Sequence, residues 1–335
     1  MKKRQTIARL ILILVTVLSL WYLDGMLCVK SEHGIDQSRA LYYQPRNSID
    51  VAMLGSSHVH CDIDTSLLWH EYGIAAYDYS AAEQPLWTTY YYLKELCKYQ
   101  KPQAVVLDLY STSINRDDYQ YTWLLQNLYG VRFSLNKLQM LFASAEPSKI
   151  SEYFPSFVYY HNRLGQLSEE DYLYPLTAPK TLREFKGYTP NIKKEPQAMT
   201  DPNLQSIGEL SPKSELYLNK IIEYTKKHDI KLLLIVAPYI TNDEYENFYD
   251  RIKDIADQNG VQFCNANDLY DEIGLDFKTD FNDASHLNYW GACKFTSYLG
   301  KDLKKRYNLP DRRGERRYDS WASNYQKITE YMKDK

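Results

Sequence analysis

The sequence predicts an α/β protein with a central parallel sheet, a mostly helical insertion and an N-terminal transmembrane helix. Short runs that are apolar on both faces, typical of strands in a parallel sheet, alternate with stretches of helical periodicity. A section without strand-like runs separates two such α/β stretches, and one long apolar segment precedes them. Alternating strands and helices favour a doubly wound sheet with right-handed crossovers.

Residues 1–29 have the pattern of a cytoplasmic tip followed by a transmembrane signal anchor. Basic residues at 2–4 and Arg9 precede an apolar run at 10–23. The run reaches the length of a membrane span when Arg9 extends toward the lipid headgroups. A cleaved signal peptide is the alternative, but the bulky residues 21–24 offer no small-residue cleavage site. The prediction is a single-pass protein of the cell membrane, with its N-terminus inside and the remainder extracytoplasmic.

Composition argues against several other classes of protein. The formal net charge is -3 and no long basic tract is present, so nucleic acid is not an expected partner. The five cysteines are odd in number and form neither a disulfide framework nor a CxxC pair. With 44% hydrophobic and 25% charged residues, the chain has the composition of an ordinary folded protein.

The first α/β stretch contains two predicted strands and one predicted helix. Residues 49–54 form the first strand, and Pro85 opens a helix whose apolar residues recur at helical spacing up to Tyr99. Residues 104–109 are apolar on both faces and form the second strand. From 111 to 210 strand-like runs vanish and aromatic residues cluster, which predicts a mostly helical insertion or cap.

The α/β pattern returns after the insertion. Ser211 is a predicted helix N-cap, followed by proline at the first helical position. Strands are predicted at 231–238 and 260–264, and helices at 243–259 and 288–307. The predicted organisation is the tip and anchor at 1–29, a polar stalk at 30–47, an α/β domain at 48–310 that includes the insertion at 111–210, and a C-terminal basic turn and helix at 311–335.

A serine, a histidine and an aspartate could together form a hydrolytic site. The first strand ends at Gly55-Ser56-Ser57, at the carboxyl edge of the sheet where open α/β folds bind ligands. Asp283 and His286 precede the last core helix and can lie on one side of a helical turn or tight loop. In hydrolytic triads a carboxylate fixes the imidazole, which takes the serine proton. Ser57 is the candidate nucleophile, with Ser56 as the alternative.

Simpler interpretations stay open for these motifs. A glycine followed by serines is typical of a strand-to-helix turn, and the aspartate–histidine pair could be a helix N-cap beside a hydrogen-bonded histidine. A further set of residues would share one face of a strand and could ligate a metal there: His58, His60, Asp62 and Asp64. A helix after Ser57 would scatter these residues, and we expect neither a metal nor a cofactor.

Together the two motifs resemble those of the SGNH/GDSL hydrolase superfamily. In that family a Gly-Asp-Ser block follows the first strand and an Asp-x-x-His block precedes the last helix. The glycine–serine and aspartate–histidine motifs of this chain occupy those places, and the resemblance covers residues 48–110 and 211–306. It implies a flavodoxin-like three-layer sandwich, with Ser57 as the nucleophile, His286 as the base and Asp283 as the group that orients His286.

The chain departs from that family at the oxyanion hole. The glycine block of the family would fall at 77–84, which contains no glycine, and residues 108–113, where its asparagine block would fall, contain no asparagine. The implied oxyanion donors are therefore the backbone N–H groups of Ser57 and of Ala82 or Glu83. Such losses resemble the branch that contains DltD, AlgJ and AlgX. Proteins of that branch act beside a membrane-bound O-acyltransferase and move acyl groups to or from wall or secreted polysaccharides.

The resemblance implies a membrane-anchored, extracytoplasmic serine esterase or O-acyltransferase of a bacterial cell. Its substrate would be the acyl groups, acetyl in the first instance, of a cell-envelope or secreted polysaccharide. A membrane-bound O-acyltransferase would be its partner. His161, among the aromatic residues of the insertion, and Asp108 are candidate substrate-binding residues. The alternative is a non-catalytic accessory or polysaccharide-binding partner of such an acyltransferase.

Overall fold

A computed structural model gives the three-dimensional arrangement of most of the chain. It describes the backbone of residues 2–114, 123–153, 160–200, 209–241 and 245–335. Side chains are described for the same residues except 2, 161, 178–180 and 245–247.

Five parallel strands form one central sheet in the order β2-β1-β3-β4-β5, which is the order of flavodoxin-like doubly wound sheets. This confirms the predicted α/β class with a central parallel sheet. The strands are β1 (Val51–Leu54), β2 (Ala76–Asp78), β3 (Ala104–Asp108), β4 (Lys231–Val236) and β5 (Gln262–Asn265).

Helices cover both faces of the sheet. The helices before the insertion are α1 (Lys2–Leu27), α2 (Ile35–Leu41), α3 (Ser57–Asp62), α4 (Thr65–Tyr72) and α5 (Leu86–Leu96). The insertion contains α6 (Leu124–Tyr129), α7 (Leu135–Ser144), α8 (Ile150–Tyr153) and α9 (Glu169–Glu184). The remaining helices are α10 (Pro212–Lys227), α11 (Tyr245–Asn259), α12 (Tyr270–Ile273), α13 (Tyr289–Arg306) and α14 (Asp319–Lys333).

Alternation of side chains along the buried strands creates two cores. In β1, Ala52 and Leu54 pack into the core that also receives α5, α10 and α11. Val51 and Met53 point the other way, into the core that receives α3 and α13. Because successive strand residues face opposite sides, a strand with helices on both faces must be apolar throughout. This explains why β1 and β3 were detectable as continuous apolar runs.

The predicted elements of the α/β stretches are found with small shifts at their ends. Ser211 caps α10, since its Oγ accepts a hydrogen bond from the backbone N–H of Ser214 at 3.1 Å. Three elements of these stretches were not predicted, β2, α4 and α12. The three residues of β2 are too few for a period-two pattern to emerge, and only their position beside β1 makes them a strand.

The segment at 30–47, predicted to be a polar stalk, instead contributes to the folded core. Helix α2 lies within it, and Ile35, Gln37 and Ser38 are buried. The Oε1 atom of Gln37 accepts from the backbone N–H of Gly34 at 2.8 Å, and the hydroxyl of Ser38 donates to Tyr92 at 2.9 Å. The stalk prediction failed because polar residues can be buried wherever hydrogen-bond partners exist.

Helix α1 is long and apolar enough to cross a membrane. The large apolar side chains from Leu10 to Leu20 are more than half exposed, whereas Met26, Leu27 and Cys28 are buried in the domain. The helix therefore passes directly into the fold. Its orientation in a membrane and the compartment of the domain stay predictions.

The described parts of 111–210 contain helices α6 to α9 and no strand of the central sheet. After the insertion and the second α/β stretch, α14 returns to the sheet. The indole N–H of Trp321, a fully buried residue, donates to the carbonyl oxygen of Ala76 in β2 at 2.9 Å. All five cysteines are unpaired.

Substitutions of Asp64, the N-cap residue of α4, should separate the stability that comes from helix capping from the stability that depends on titration of the carboxyl group. Its carboxylate accepts from the N–H groups of Ser66 at 2.8 Å and Leu67 at 3.2 Å. Burial raises the pKa of Asp64 to about 6, although these hydrogen bonds oppose the shift. Because the folded-state pKa exceeds the unfolded one, the stability that protonation contributes is present below about pH 4 and lost as the pH rises through about 6.

Asp64→Asn keeps a capping oxygen and removes this titration. Between pH 4 and pH 7, the free energy of unfolding of Asp64→Asn should therefore increase relative to that of the wild type. Urea unfolding of the full chain in detergent measures both values. Asp64→Ala is the matched control and should be about 1 kcal/mol less stable than Asp64→Asn at either pH. Parallel pH curves for the wild type and Asp64→Asn would contradict the prediction.

Candidate active site

The turn after β1 brings Ser57 to the carboxyl edge of the sheet. Gly55 has φ of 146°, a left-handed conformation that favours glycine. A Cβ atom at this position would lie 2.9 Å from Cβ of Asp108 and 3.0 Å from a methyl of Val59. Ser56 is the N-cap of α3, and Ser57 is the first residue of the helix. The glycine thus allows a sharp strand-to-helix turn with a half-buried serine at its end.

Ser57, His286 and Asp283 form one hydrogen-bonded row. Ser57 Oγ lies 2.8 Å from His286 Nε2. On the other side of the imidazole, Nδ1 lies 3.1 Å from Asp283 Oδ1 and 3.3 Å from Oδ2. The side chains of His286 and Asp283 are 23% and 40% exposed, so the row is open to solvent. The structure therefore brings together the three residues that the sequence selected from distant motifs.

A short loop holds Asp283 in place. Its Oδ1 accepts from the backbone N–H groups of Ser285 at 2.8 Å and His286 at 2.9 Å, and its Oδ2 accepts from the side-chain amide of Asn282 at 2.7 Å. Burial alone would raise the pKa of Asp283, but the hydrogen bond and charge of His286 and the other donors hold it below its usual range. The carboxylate is consequently ionised at neutral pH.

An ionised carboxylate beside Nδ1 determines how the imidazole can act. It favours the tautomer with the proton on Nδ1, which leaves the lone pair of Nε2 directed at the hydroxyl of Ser57. A base in that position can take the proton of Ser57 as its oxygen attacks a carbonyl carbon. The geometry thus suits acyl transfer, and the catalytic roles of the three residues stay predictions.

A buried histidine, His58, packs against the ring of His286. His58 is fully buried and stacks on Tyr110, with ring centroids 3.7 Å apart, and its ring lies 5.0 Å from that of His286. Its Nδ1 is 3.3 Å from Asp62 Oδ2, but neither atom has a hydrogen bond of good geometry. Burial lowers the pKa of His58 well below its usual range and raises that of Asp62, so it disfavours the charged form of each group. Asp62 Oδ1 accepts the N–H of Leu287 at 3.0 Å, which ties α3 to the histidine loop.

Helix α3 directs the four residues considered as metal ligands to different places. His58 and Asp62 share one side of α3, His60 bonds elsewhere and Asp64 caps α4. Within the described part of the chain, no cluster of three or more histidine, cysteine or acidic side chains could hold a metal ion.

A second pair of imidazoles was missed by the sequence analysis. Nδ1 of His33 lies 3.3 Å from Nε2 of His60, whose Nδ1 lies 2.9 Å from the hydroxyl of Ser80. Partial desolvation of the His33 imidazole, followed by the charge of His286, lowers the pKa of His33. His33 lies in the segment at 30–47, which has no strand or helix pattern. The sequence therefore offers no reason to place it beside His60.

The predicted oxyanion donors need one correction. The backbone N–H of Ala82 donates to the carbonyl oxygen of His33 at 2.9 Å, so it does not point to a substrate. Folding of the segment at 30–47 supplies that acceptor. As the first residue of α3, Ser57 has an N–H without an acceptor in its own helix. Glu83 adopts φ of 48°, and its N–H as a second donor stays a prediction.

The two predicted substrate-binding residues have different outcomes. Asp108 is fully buried, and its carboxylate accepts from the N–H groups of Ala237 at 3.0 Å and Tyr110 at 3.2 Å. Burial raises the pKa of Asp108 to about 7. Because Asp108 is fully buried, it connects the ends of the strands and does not reach a substrate. The side chain of His161 lies outside the described residues.

Comparisons with known proteins add little to this geometry. No family model and no curated protein matches the chain. Among solved structures, a Bacteroides fragilis protein described as a "putative acylhydrolase" is similar over 80% of this chain and 94% of its own, with 11% sequence identity and a TM-score of 0.39. A likeness at this level carries no argument about function.

Replacing Gly55 by alanine should destabilise the protein more than alanine at Gly260 or Gly165. Gly55→Ala combines a disfavoured φ with contacts near 3 Å, and we expect a loss of at least about 3 kcal/mol in the free energy of unfolding. Gly260→Ala tests the positive φ alone, since nothing lies within 4 Å, and should cost about 1 kcal/mol. Gly165→Ala has neither problem and should stay within about 0.5 kcal/mol. Equal losses for Gly55→Ala and Gly260→Ala, measured by urea unfolding, would show that the close packing is unimportant.

Proposed function

We propose that this chain is a membrane-anchored serine acyl-ester hydrolase or O-acyltransferase. The observation that carries the proposal is the row of hydrogen bonds from Ser57 Oγ through His286 to Asp283, at 2.8 and 3.1 Å. A histidine that contacts a serine with one nitrogen and an ionised carboxylate with the other is the arrangement required for nucleophilic acyl transfer.

The reaction would proceed in two steps. In the first, Ser57 Oγ attacks the ester carbonyl carbon while its proton passes to His286 Nε2. The bond to the leaving alcohol then breaks, His286 returns the proton to that alcohol, and the acyl group stays on Ser57. In the second step, water or a sugar hydroxyl gives its proton to His286 Nε2 and attacks the carbonyl carbon of the acyl-serine. The bond from that carbon to Ser57 Oγ then breaks, His286 returns the proton to Oγ, and an acid or a new ester is released. Asp283 stabilises the imidazolium in both steps.

The limited oxyanion hole argues against rapid hydrolysis of small esters. The N–H of Ser57 is available, Ala82 is engaged with His33, and residues 109–113 directly after β3 include no asparagine. Removal of one oxyanion donor typically costs about 100- to 1000-fold in rate. A larger substrate, whose remote contacts position its ester, would offset part of that loss.

The cellular setting of the proposal depends on α1 and on the resemblance to SGNH proteins. With α1 as an anchor and its basic end inside, the domain would be extracytoplasmic. The substrate would then be an acyl ester, acetyl in the first instance, on a cell-envelope or secreted polysaccharide, and a membrane-bound O-acyltransferase would supply or receive the acyl group.

One observation favours a second candidate function. The backbone donor predicted at Ala82 is occupied, and residues 109–113, which directly follow β3, include no asparagine. A site with so few oxyanion donors is compatible with a non-catalytic accessory protein that binds polysaccharide beside a membrane-bound acyltransferase.

Ser57→Ala should separate the two functions. We expect a fluorophosphonate probe to label the wild-type full chain at Ser57, as mapped by peptide mass spectrometry, and to leave Ser57→Ala unlabelled. Ser56→Ala is the matched control, because the neighbouring hydroxyl is buried and has no hydrogen-bond partner. It should be labelled at a rate within about threefold of the wild type, since substitutions away from special features change stability little. Full complementation of polysaccharide acylation by Ser57→Ala would instead support the accessory function.

Asp283→Asn should slow the reaction without unfolding the site. The amide would favour the wrong imidazole tautomer, and the labelling rate should fall by about 10²- to 10⁴-fold. Asp229→Asn is a suitable control because its side chain is 98% exposed and distant in sequence from the row. An unchanged rate for Asp283→Asn would remove the aspartate from the mechanism.

A further inference from the structure

A cavity of about 570 Å³ opens where α1 meets the domain. We name it the juxtamembrane cavity. Its volume falls in the range of small-molecule binding pockets, about 300–1000 Å³. The end of α1, the helix α2, the first part of the insertion and α9 supply its walls: Trp21, Gly25, Arg39, Arg132, Lys137 and Tyr174. It is lined by different residues from those of the Ser57 row.

The position of the cavity along α1 corresponds to the headgroup region of a bilayer. Apolar side chains on α1 are more than half exposed up to Trp21, which is itself 53% exposed. Tryptophan is enriched at membrane–water interfaces, and a charged residue such as Asp24 is costly in the hydrocarbon core. Gly25 lies about one helical turn, or about 6 Å, beyond Trp21. The cavity between these residues would therefore open at the depth of lipid headgroups.

The charge of the cavity is predominantly positive. Three cations line it, Arg39, Arg132 and Lys137, against the single carboxylate of Asp24. Among the described residues, none of the three cations forms an ion pair with a carboxylate within 4 Å.

Each cation has a neutral neighbour instead. The ammonium of Lys137 donates to the carbonyl oxygen of Val131 at 2.8 Å, the guanidinium of Arg132 lies 4.2 Å from the ring centre of Tyr42, and that of Arg39 donates to Cys28 Sγ. Burial lowers the pKa of Lys137 to about 8, and the charges of Asp24 and Glu95 oppose this shift only in part. An anion in the cavity would add a further compensating charge.

The surroundings of the cavity are apolar and exposed. Phe133 lines the cavity and is 66% exposed, and Leu135 and Phe142, one heptad apart on α7, are 71% and 64% exposed. On α9, Leu176 is 64% exposed and follows Pro175, whose ring is 3.0 Å from the position of a Cβ on Gly25. Exposed apolar side chains beside a membrane helix are suited to contact acyl chains.

We propose that the juxtamembrane cavity binds the phosphate headgroup of an anionic membrane lipid. Arg39, Arg132 and Lys137 would hold the phosphate, and the acyl chains would lie against α1 and the exposed side chains of the insertion. The inference depends on the membrane location of α1 in the proposed function, but not on any reaction at Ser57. Such a lipid would fix the height of the domain above the bilayer.

Thermal unfolding of the full chain in dodecyl maltoside tests the site. Added phosphatidylglycerol should raise the Tm by about 3–8 °C in a saturable manner, as expected for a ligand that binds only the folded protein. Phosphatidylcholine presents acyl chains with a zwitterionic headgroup, and glycerol phosphate presents the phosphate without chains. Neither should raise the Tm by more than about 1 °C, since each lacks one part of the recognised ligand.

Variants that lack charges of the cavity are compared with a variant that lacks two charges elsewhere, by their Tm shift with phosphatidylglycerol. Arg132→Gln/Lys137→Gln should lose most of the phosphatidylglycerol shift, and the single variant Arg132→Gln, at an exposed residue, should lose part of it. Lys101→Gln/Lys305→Gln removes two exposed charges and should retain the shift. All variants should keep fluorophosphonate labelling at Ser57, which reports an intact domain independently of lipid.

Several outcomes would overturn the proposal. These are the absence of a shift with phosphatidylglycerol, an equal shift with phosphatidylcholine, an equal shift with glycerol phosphate, or an unchanged shift in both Arg132→Gln and the double variant. Absence of labelling in every protein, with the lipid shift present, would contradict the serine chemistry and leave the lipid site supported.

Discussion

The close packing of Gly55 against Asp108 is the constraint on which the geometry of the site depends. β1 and β3 lie side by side, and their carboxyl ends leave no space for a side chain at position 55. The chain turns there with a positive φ, and α3 begins two residues later at Ser57. Asp108 is held by the N–H groups of Tyr110 and Ala237, so the ends of β1, β3 and β4 are joined beneath the serine.

Buried polar groups connect the serine to its histidine, although the two belong to opposite ends of the chain. Asp62 in the helix of Ser57 accepts the N–H of Leu287, which directly follows His286. His58 packs beneath the ring of His286. Because burial keeps His58 neutral, it supports that ring without repelling the charge that His286 would gain as a base. Packing and electrostatics thus favour the same arrangement.

The segment after α1 links that helix to the candidate site. Burial of residues 26–28 and of α2 carries the chain from the helix into the domain, and His33 follows at the edge of the site beside His60. The carbonyl oxygen of His33 also accepts the N–H of Ala82. The position of the site relative to α1 is consequently determined by packed contacts.

The sequence by itself determined the α/β class, most strands and helices, and the residues Ser57, Asp283 and His286. These follow from local patterns, since buried strands are continuously apolar and each motif adjoins an element end. Tertiary structure alone decided the burial of α2, the pairing of the three-residue β2, and the occupation of the Ala82 N–H by His33. All three depend on contacts between residues that are far apart in the chain. A polar residue has the same local pattern whether or not a distant partner buries it.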